Sequence, residues 1–369
     1  MKLQRYGLVA GLVAGALALS ACGSDNTSSG SNGGGGTSGA AAADCASGTL
    51  STGGSSAQKP AMTAWIQAYQ NKCGEAAVNY DSQGSGFGVT QFSQGQFPMG
   101  GSDSVLKDTE QGPADKRCNG GTAVNIPMVA TPVSFVYNLS GVDKLTLTPK
   151  ILAKIYAGTL TKWNDPEIAQ ANAGVSLPAK TITAVHRSDD SGTTDNFTKF
   201  LDAQDKADWT FGTGKAWKAP GGVGGKSSSG VVQNVTGADG AIGYVDGPDA
   251  KKNKLTPALL DVGAGPVEIS ADSVGKALSL SDVKATGQDI KVKINYGAKE
   301  AGAYPAILVT YEITCTRGLP ADQAKLVKSF LTFTASDEGQ ALLAPIGHLP
   351  LPSDLISKVR AAVGALGSD

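Results

Sequence analysis

What most constrains this chain is the alternation of short extended runs with helix-spaced segments along its length. Thr63 to Asn71 is spaced as a helix, Ala76 to Tyr80 as a strand and Val89 to Phe92 as a helix again. Ile126 to Tyr137 reads as a strand pair interrupted by Pro127 and Pro132. Pro149 to Tyr156 is helical, Thr181 to Val185 extended and Asp195 to Asp202 helical. Alternation of this kind predicts α/β domains with a mostly parallel sheet. In such sheets ligands bind where loops leave the carboxyl ends of strands.

The most informative of these loops is His186-Arg187-Ser188-Asp189-Asp190-Ser191-Gly192-Thr193-Thr194-Asp195-Asn196-Phe197. It sets a guanidinium just ahead of hydroxyls and a glycine at the start of a helix. Ser191, Gly192 and Thr193 fall where unpaired backbone N–H groups and a positive helix dipole meet an oxyanion. An ordinary capped helix with a surface arginine fits the same letters. Three further turns share the character. In Asp81 to Gly88, glycines allow close backbone approach and leave Ser85 as the hydroxyl donor. Met99 to Leu106 carries Asp103, which by itself reads as the cap of a helix beginning near Ser104. Gly53 to Gln58 is a turn ahead of a helix from Pro60 to Gln70.

The first residues read as an export signal. Lys2 and Arg5 precede an apolar run from Leu8 to Leu19, and Leu19-Ser20-Ala21-Cys22 resembles a bacterial lipobox. On that resemblance residues 1–21 are a signal peptide, and Cys22 becomes a lipidated first residue that anchors the protein outside the cytoplasmic membrane. The apolar run is shorter than the roughly 20 residues a transmembrane helix needs. Residues 22–43, rich in Ser, Gly, Asn and Thr, form a flexible linker that carries no fold. The remaining length suits two domains. Removing Lys2 and Arg5 with the leader leaves 29 of the 31 basic residues against 32 acidic ones, a net charge near −3. That balance argues against a nucleic-acid partner. Any anion site must then work by local dipoles and hydrogen bonds.

With Cys22 assigned to lipid, Cys45, Cys73, Cys118 and Cys315 form an even set that favours disulfides in an oxidising compartment. Three pairings are possible. Cys45–Cys73 as a local staple with Cys118–Cys315 as a long-range tie is the preferred one, though spacing does not decide it. A metal site is not expected, since His186 and His348 are the only histidines and no close Cys pair exists. No cofactor is implied. A serine hydrolase lacks its Gly-x-Ser-x-Gly elbow here. A P-loop near-match at Pro220 to Ser227 has Pro220 where its opening glycine belongs, and reads as a glycine-rich loop.

Together, and in this order, the loops resemble one family: the phosphate-binding lipoproteins of the Pst-type ABC phosphate importer, particularly those of actinobacteria. The resemblance runs from about Gly48 to Leu351. It rests on Gly84-Ser85-Gly86, Gly101-Ser102-Asp103, Thr161-Lys162-Trp163-Asn164-Asp165-Pro166, the Arg187 loop, Gly240-Ala241-Ile242-Gly243-Tyr244-Val245 and the Tyr304-Pro305 region.

The resemblance implies a two-domain periplasmic-binding-protein-like α/β fold of type II, with mostly parallel central sheets, a hinge and a ligand cleft. Domain I would span 44–130 plus 306–369 and domain II 131–305, with crossings near Met128 to Pro132 and Tyr304 to Leu308. Cys118 and Cys315 would both sit in domain I near those crossings. Inorganic phosphate would be held by Ser56 and Ala57 through backbone N–H groups, by Ser85, and by Arg187, Ser191, Gly192 and Thr193. Asp103 would accept a proton of the ligand, and Asp189 would orient the arginine fork. Two positions depart from the family pattern. Asp190 replaces a frequent glycine, which Asp tolerates in left-handed geometry, and Ala57 replaces a larger residue, so that only its backbone role transfers. Implied partners are membrane permease subunits with a cytoplasmic ATPase. The protein would be monomeric, would meet the membrane only through its lipid anchor, and would not be an enzyme. Another tetrahedral oxyanion such as sulfate is the alternative ligand, and an exported phosphatase the alternative activity.

Overall fold

The computed structural model describes residues 45–367. The expected leader, the lipidated Cys22 and the linker of residues 22–43 lie outside the described residues. Eight strands form one continuous path in the main sheet. They are β1 (Gly48–Gly54), β2 (Ala76–Asp81), β3 (Met99–Ser102), β4 (Ala123–Asn138), β5 (Thr183–Arg187), β6 (Val223–Gly225), β7 (Ala241–Asp246) and β8 (Ile307–Cys315). Their spatial order is β2-β1-β3-β8-β4-β7-β5-β6, with the short strand Thr256–Pro257 added on β4.

The expected parallel pairing holds in the two arms, where β1 pairs with β2 and β3, and β5 with β6 and β7. It does not hold at the centre. There β4 and β8 run antiparallel to each other, and each is antiparallel to the arm beside it. These two strands carry the chain out of one lobe and back, so they must run in opposite senses.

The expected strand pair at Ile126 to Tyr137 is in fact one strand of 16 residues. Its prolines sit where a missing N–H donor costs least. Pro127 lies at an irregularity, since the register moves from Thr310 opposite Val129 to Tyr311 opposite Pro127 and leaves Met128 unpaired in the ladder. Pro132 stands opposite Ile307 at the last position paired with β8, and from Val133 onward the strand pairs with β7. The stretch is buried on both faces, including the polar Asn125, Thr131 and Ser134, which erases the alternation that would have announced a single strand.

Helices close both faces. In the first lobe α1 (Lys59–Lys72), α2 (Ser85–Ser93) and α3 (Asp108–Arg117) follow β1, β2 and β3. In the second, α4 (Pro149–Tyr156), α5 (Gly192–Gln204) and α6 (Ser227–Gly237) play that part. Late in the chain α7 (Ala321–Ala335) and α8 (Ser353–Gly364) return to the first lobe, where Tyr69 packs edge-on against Phe330.

Buried tryptophans fasten the frame through their indole N–H groups, as such side chains require. Trp65 donates to Gly339 O at 2.8 Å, and Trp163 to Gly240 O at 2.9 Å. Trp163 thereby ties its loop to the entry of β7, while Asp165 caps the short helix Pro166–Ala171 by accepting from Glu167 N at 2.9 Å. The disulfides are Cys45–Cys73 and Cys118–Cys315, each with 5.3 Å between α-carbons. The second spans 197 residues and joins the end of α3 to the end of β8. Among the described residues no helix is long and apolar enough to cross a membrane.

Candidate functional site

Four chain segments converge, each leaving the carboxyl end of a strand. After β1 come Ser55, Ser56 and Ala57; after β2, the turn leading to Ser85; after β3, Asp103; and after β5, the loop from Arg187 to Thr193. Every residue in this set that should touch a ligand is buried, including Arg187 at 2 % and Asp103 at 2 % exposure.

Asp103 is the centre. Its Oδ1 accepts from Ser55 Oγ at 2.5 Å and from Thr310 Oγ1 at 2.8 Å, and its Oδ2 from Ser85 Oγ at 3.3 Å. Its own amide donates to Ser85 Oγ at 3.0 Å. No helix begins at Ser104, so the capping role open to Asp103 in the sequence does not apply; the next helix, α3, starts at Asp108. Burial raises the Asp103 carboxyl above its ordinary range, against the pull of these hydroxyls and of the Arg187 guanidinium.

Arg187 ends β5, with its N–H fixed on the Tyr244 hydroxyl at 3.0 Å. Its fork is held by Asp189: Nε donates to Oδ1 at 2.8 Å and Nη2 to Oδ2. Burial pushes the Asp189 carboxyl up, but Arg187 and the Ser227 N–H outweigh it and hold the group below its usual range. Gly84, at φ 113°, precedes α2 on the other lobe; a β-carbon there would strike Asp189 Oδ2 and stand 3.4 Å from Arg187 Nη2. The fork therefore lies directly on the Ser85 turn.

Ser191 is the N-cap of α5, its Oγ accepting from Thr194 N at 3.2 Å. Gly192 and Thr193 are then the first two helical residues, whose amides have no acceptor within the helix. The Thr193 hydroxyl is buried with no hydrogen-bond partner among the described residues. A β-carbon on Gly192 would strike Ser85 Oγ and lie 2.6 Å from Asp103 Cβ. That places the helix start of one lobe against the carboxylate of the other. Gly192→Ala should thus hold the lobes apart at a cost of about 1–3 kcal/mol, weakening anion binding roughly tenfold or more. Calorimetric affinity equal to the parent's would refute this contact.

Cross-lobe bonds surround the centre. Asn196 Nδ2 donates to Asp103 O at 2.7 Å, Gly86 N to Asp190 O at 2.9 Å, and Ser104 Oγ to Asp195 Oδ2 at 2.6 Å. Ser56 Oγ lies 3.0 Å from Ser228 Oγ and accepts from Ser228 N at 3.1 Å. Lys215, 5 % exposed, meets Glu110 at 2.7 Å.

All eight expected ligand residues come together with Asp189, though Ser191 also serves as a cap and Ser56 engages Ser228. Asp190 departs from expectation. The only non-glycine residues with positive φ among the described ones are Ser227 and Lys254, so Asp190 is not left-handed. The loop needs no such residue, because Asp190 packs directly on Gly86 and its carbonyl is what the Gly86 N–H requires. Ser55, Thr310 and Asn196 were not foreseen. Ser55 stands beside Ser56 in a serine pair that gives no way to rank the two, while Thr310 and Asn196 lie on elements whose polar residues look like ordinary strand and helix positions.

This is a two-lobed α/β fold of the periplasmic-binding-protein kind, with a buried carboxylate, a buried guanidinium and a helix N-terminus brought together from its two lobes. The description of the PBP superfamily domain matches residues 39–338. Phosphate-binding protein PstS 3 of Mycobacterium leprae is 38 % identical over 370 residues, covering 99 % of this chain and 100 % of that protein. Phosphate-binding protein PstS of Xylella fastidiosa is 32 % identical, covering 98 % of each. Among solved structures, a high-affinity periplasmic phosphate-binding protein (PfluDING) with bound phosphate superposes with a TM-score of 0.68 at 23 % identity, over 85 % of this chain and 93 % of that one. A phosphate-binding protein from Stenotrophomonas maltophilia gives 0.66 at 21 %, with the same coverage. The chain belongs to the PBP superfamily and, within it, to the PstS family of phosphate-binding proteins.

Proposed function

We propose that this protein captures inorganic phosphate between its lobes and delivers it to an ABC-type importer. One observation carries the reading. A buried carboxylate and a buried guanidinium meet at two helix N-termini, beside the Thr193 hydroxyl that has no protein partner. Such an arrangement suits an ion that both accepts and donates hydrogen bonds. Ser85, Arg187, Ser191 and Thr193 would supply side-chain donors, with Ser191 doing so beyond its capping bond. Ser56, Ala57, Gly192 and Thr193 would give backbone N–H groups. Asp103 would accept the ligand's proton, and Asp189 would hold the arginine.

The lobes are taken as 44–130 with 306–369, and 131–305. The change of partner in β4 between Pro132 and Val133 supports that division. The protein would be lipid-anchored through Cys22, work as a monomer outside the cytoplasmic membrane, and dock on permease subunits served by a cytoplasmic ATPase. A binding role is favoured over catalysis. His186 stacks on Trp217 and His348 bonds Thr131, and neither makes a hydrogen bond to a serine or threonine of the cradle.

A ligand that prefers the folded state raises stability by mass action. Phosphate and arsenate should therefore raise the melting temperature, while sulfate and molybdate at equal concentration should not. A larger shift with sulfate would reassign the ligand, and release of product from a phosphate ester would reassign the protein as a phosphatase.

A further inference from the structure

Behind the cradle lies a buried carboxyl that the proposed binding reaction does not use. Glu312, in the middle of β8, is 1 % exposed. Its Oε1 accepts from Gln58 Nε2, and its Oε2 has no partner among the described residues. Gln58 is the N-cap residue of α1, directly after Ser56 and Ala57. Its own amide donates to Ser55 Oγ at 3.2 Å, the hydroxyl that donates to Asp103. The Tyr80 hydroxyl donates to Ser55 O at 2.8 Å and stands 3.3 Å from Gln58 Oε1. Glu312, Gln58, Tyr80 and Ser55 thus form one connected set around the turn whose amides face the ligand.

We propose that Glu312 is a positioning residue of the anion site, holding the Ser55–Ala57 turn through Gln58, and that anion binding favours the protonated form of its carboxyl. The inference rests on the phosphate reading above, since it needs an anion at Asp103.

Two considerations support it. A carboxylate buried with one oxygen unpartnered is far costlier than a neutral carboxyl in the same place. Burial, despite the Gln58 bond and with added repulsion from Asp103, pushes Glu312 up to about 7. The charge at Asp103 is therefore already felt at Glu312, and an anion brought beside Asp103 adds to it. The groups that face Glu312 supply no compensating cation. Its neighbours across the sheet are Gly101 on β3 and Ile126 on β4, Gln58 and Tyr80 are neutral, and Asp103 is acidic. The Arg187 guanidinium of the cradle is engaged by Asp189.

The sign follows from linkage. The free protein loses the Glu312 proton as pH rises through neutrality, and the bound state must then take it back or tolerate the repulsion. Affinity in the parent should fall over that range for a reason unrelated to the ligand's own titration. Glu312→Gln keeps an acceptor for Gln58 and cannot ionise. At about pH 6 it should bind phosphate as the parent does, and at about pH 8.5 it should bind several-fold more tightly than the parent. Taking the ratio of the two dissociation constants at each pH cancels the titration of phosphate itself. A ratio flat across that range, or a variant weaker at high pH, overturns the proposal even with phosphate binding intact. Failure of both proteins to bind phosphate overturns the functional reading instead.

Gln58→Leu cuts the tie while leaving Glu312 ionisable. It should weaken binding severalfold and move the pH dependence to higher pH, since the lost bond no longer holds the Glu312 carboxyl down, and unchanged affinity would remove the positioning role. Should Glu312→Gln not fold, infrared difference spectra of parent protein labelled with carbon-13 glutamate decide the matter. Phosphate added just above neutral pH should produce a protonated glutamic-acid band, and its absence overturns the proposal.

Discussion

Arg187→Ala is expected to weaken phosphate and arsenate alike, by about 10² to 10³-fold, because it removes the cationic partner of the half-buried Asp189 and leaves that acid facing the ligand. In the intact protein the guanidinium is 2 % exposed, and Asp189 takes two of its N–H groups. The fork is thus fixed before the ligand arrives, and little rotamer entropy is lost on binding. Deleting the side chain strands Asp189, whose remaining donor is the Ser227 N–H at 2.9 Å. An arriving anion would then meet Asp103 and Asp189 together, with only hydroxyls and helix termini to oppose them. Those weaker donors remain, so binding should fall steeply without vanishing. Arg187→Lys should recover part of the loss, since an ammonium restores the charge but not the planar fork. The ratio between oxyanions should hardly change, because the guanidinium does not test whether the ligand carries a proton. Calorimetry on both variants with both ions checks this, and an alanine variant within about threefold of the parent would refute it.

Why Arg187 could be recognised from the sequence and Thr310 could not is a matter of range. Arg187, Ser191, Gly192 and Thr193 fall within seven consecutive positions, and the strand before them and the helix after them fix their relation locally. Sequence can register an arrangement of that kind. Thr310 reaches Asp103 across 207 positions and Ser55 across 48, through sheet pairing that no local pattern encodes. The Glu312–Gln58 contact spans 254. Of the signature segments outside the proposed cradle, one braces the Arg187 loop directly and two brace the frame around it. Tyr244 bonds both Arg187 N and Thr194 Oγ1, Trp163 ties its loop to Gly240, and Tyr304 donates to Val133 O at 2.8 Å, just past the crossing.

The fold class was legible for the same local reason, whereas the central antiparallel strands were not. Their uniform burial hides the strand period, and the prolines in β4 suggested a break where the chain only changes partner. Asp190 shows the opposite error: a residue judged by what its position usually holds, when the actual backbone had no need of left-handed geometry.

Asp103→Asn is expected to change what the cradle refuses more than what it accepts. Phosphate near neutral pH keeps at least one proton and can donate to the carboxylate, whereas sulfate has none and would set its lone pairs against those of Asp103. In a buried site, leaving such groups unpaired or repelling gives about 10⁴ to 10⁵ in discrimination. The asparagine amide is nearly isosteric, keeps an oxygen for Ser55 and Thr310, and offers an N–H₂ that sulfate can use. Phosphate should lose only the bond it donated, about tenfold in affinity, while sulfate should gain roughly 10²-fold or more, so that the two ions converge.

The carboxyl itself offers a second route to the same state. Because burial raises the Asp103 carboxyl, protonation sets in at higher pH than for an ordinary aspartate, and the protonated form can donate as the amide does. Sulfate rejection by the parent should therefore weaken as pH falls through that raised value, while rejection by the variant stays weak at every pH. Competition calorimetry at neutral and acidic pH reads both effects. A variant that excludes sulfate as strictly as the parent would show that selectivity resides in the hydroxyls and helix termini, and not in the carboxylate they surround.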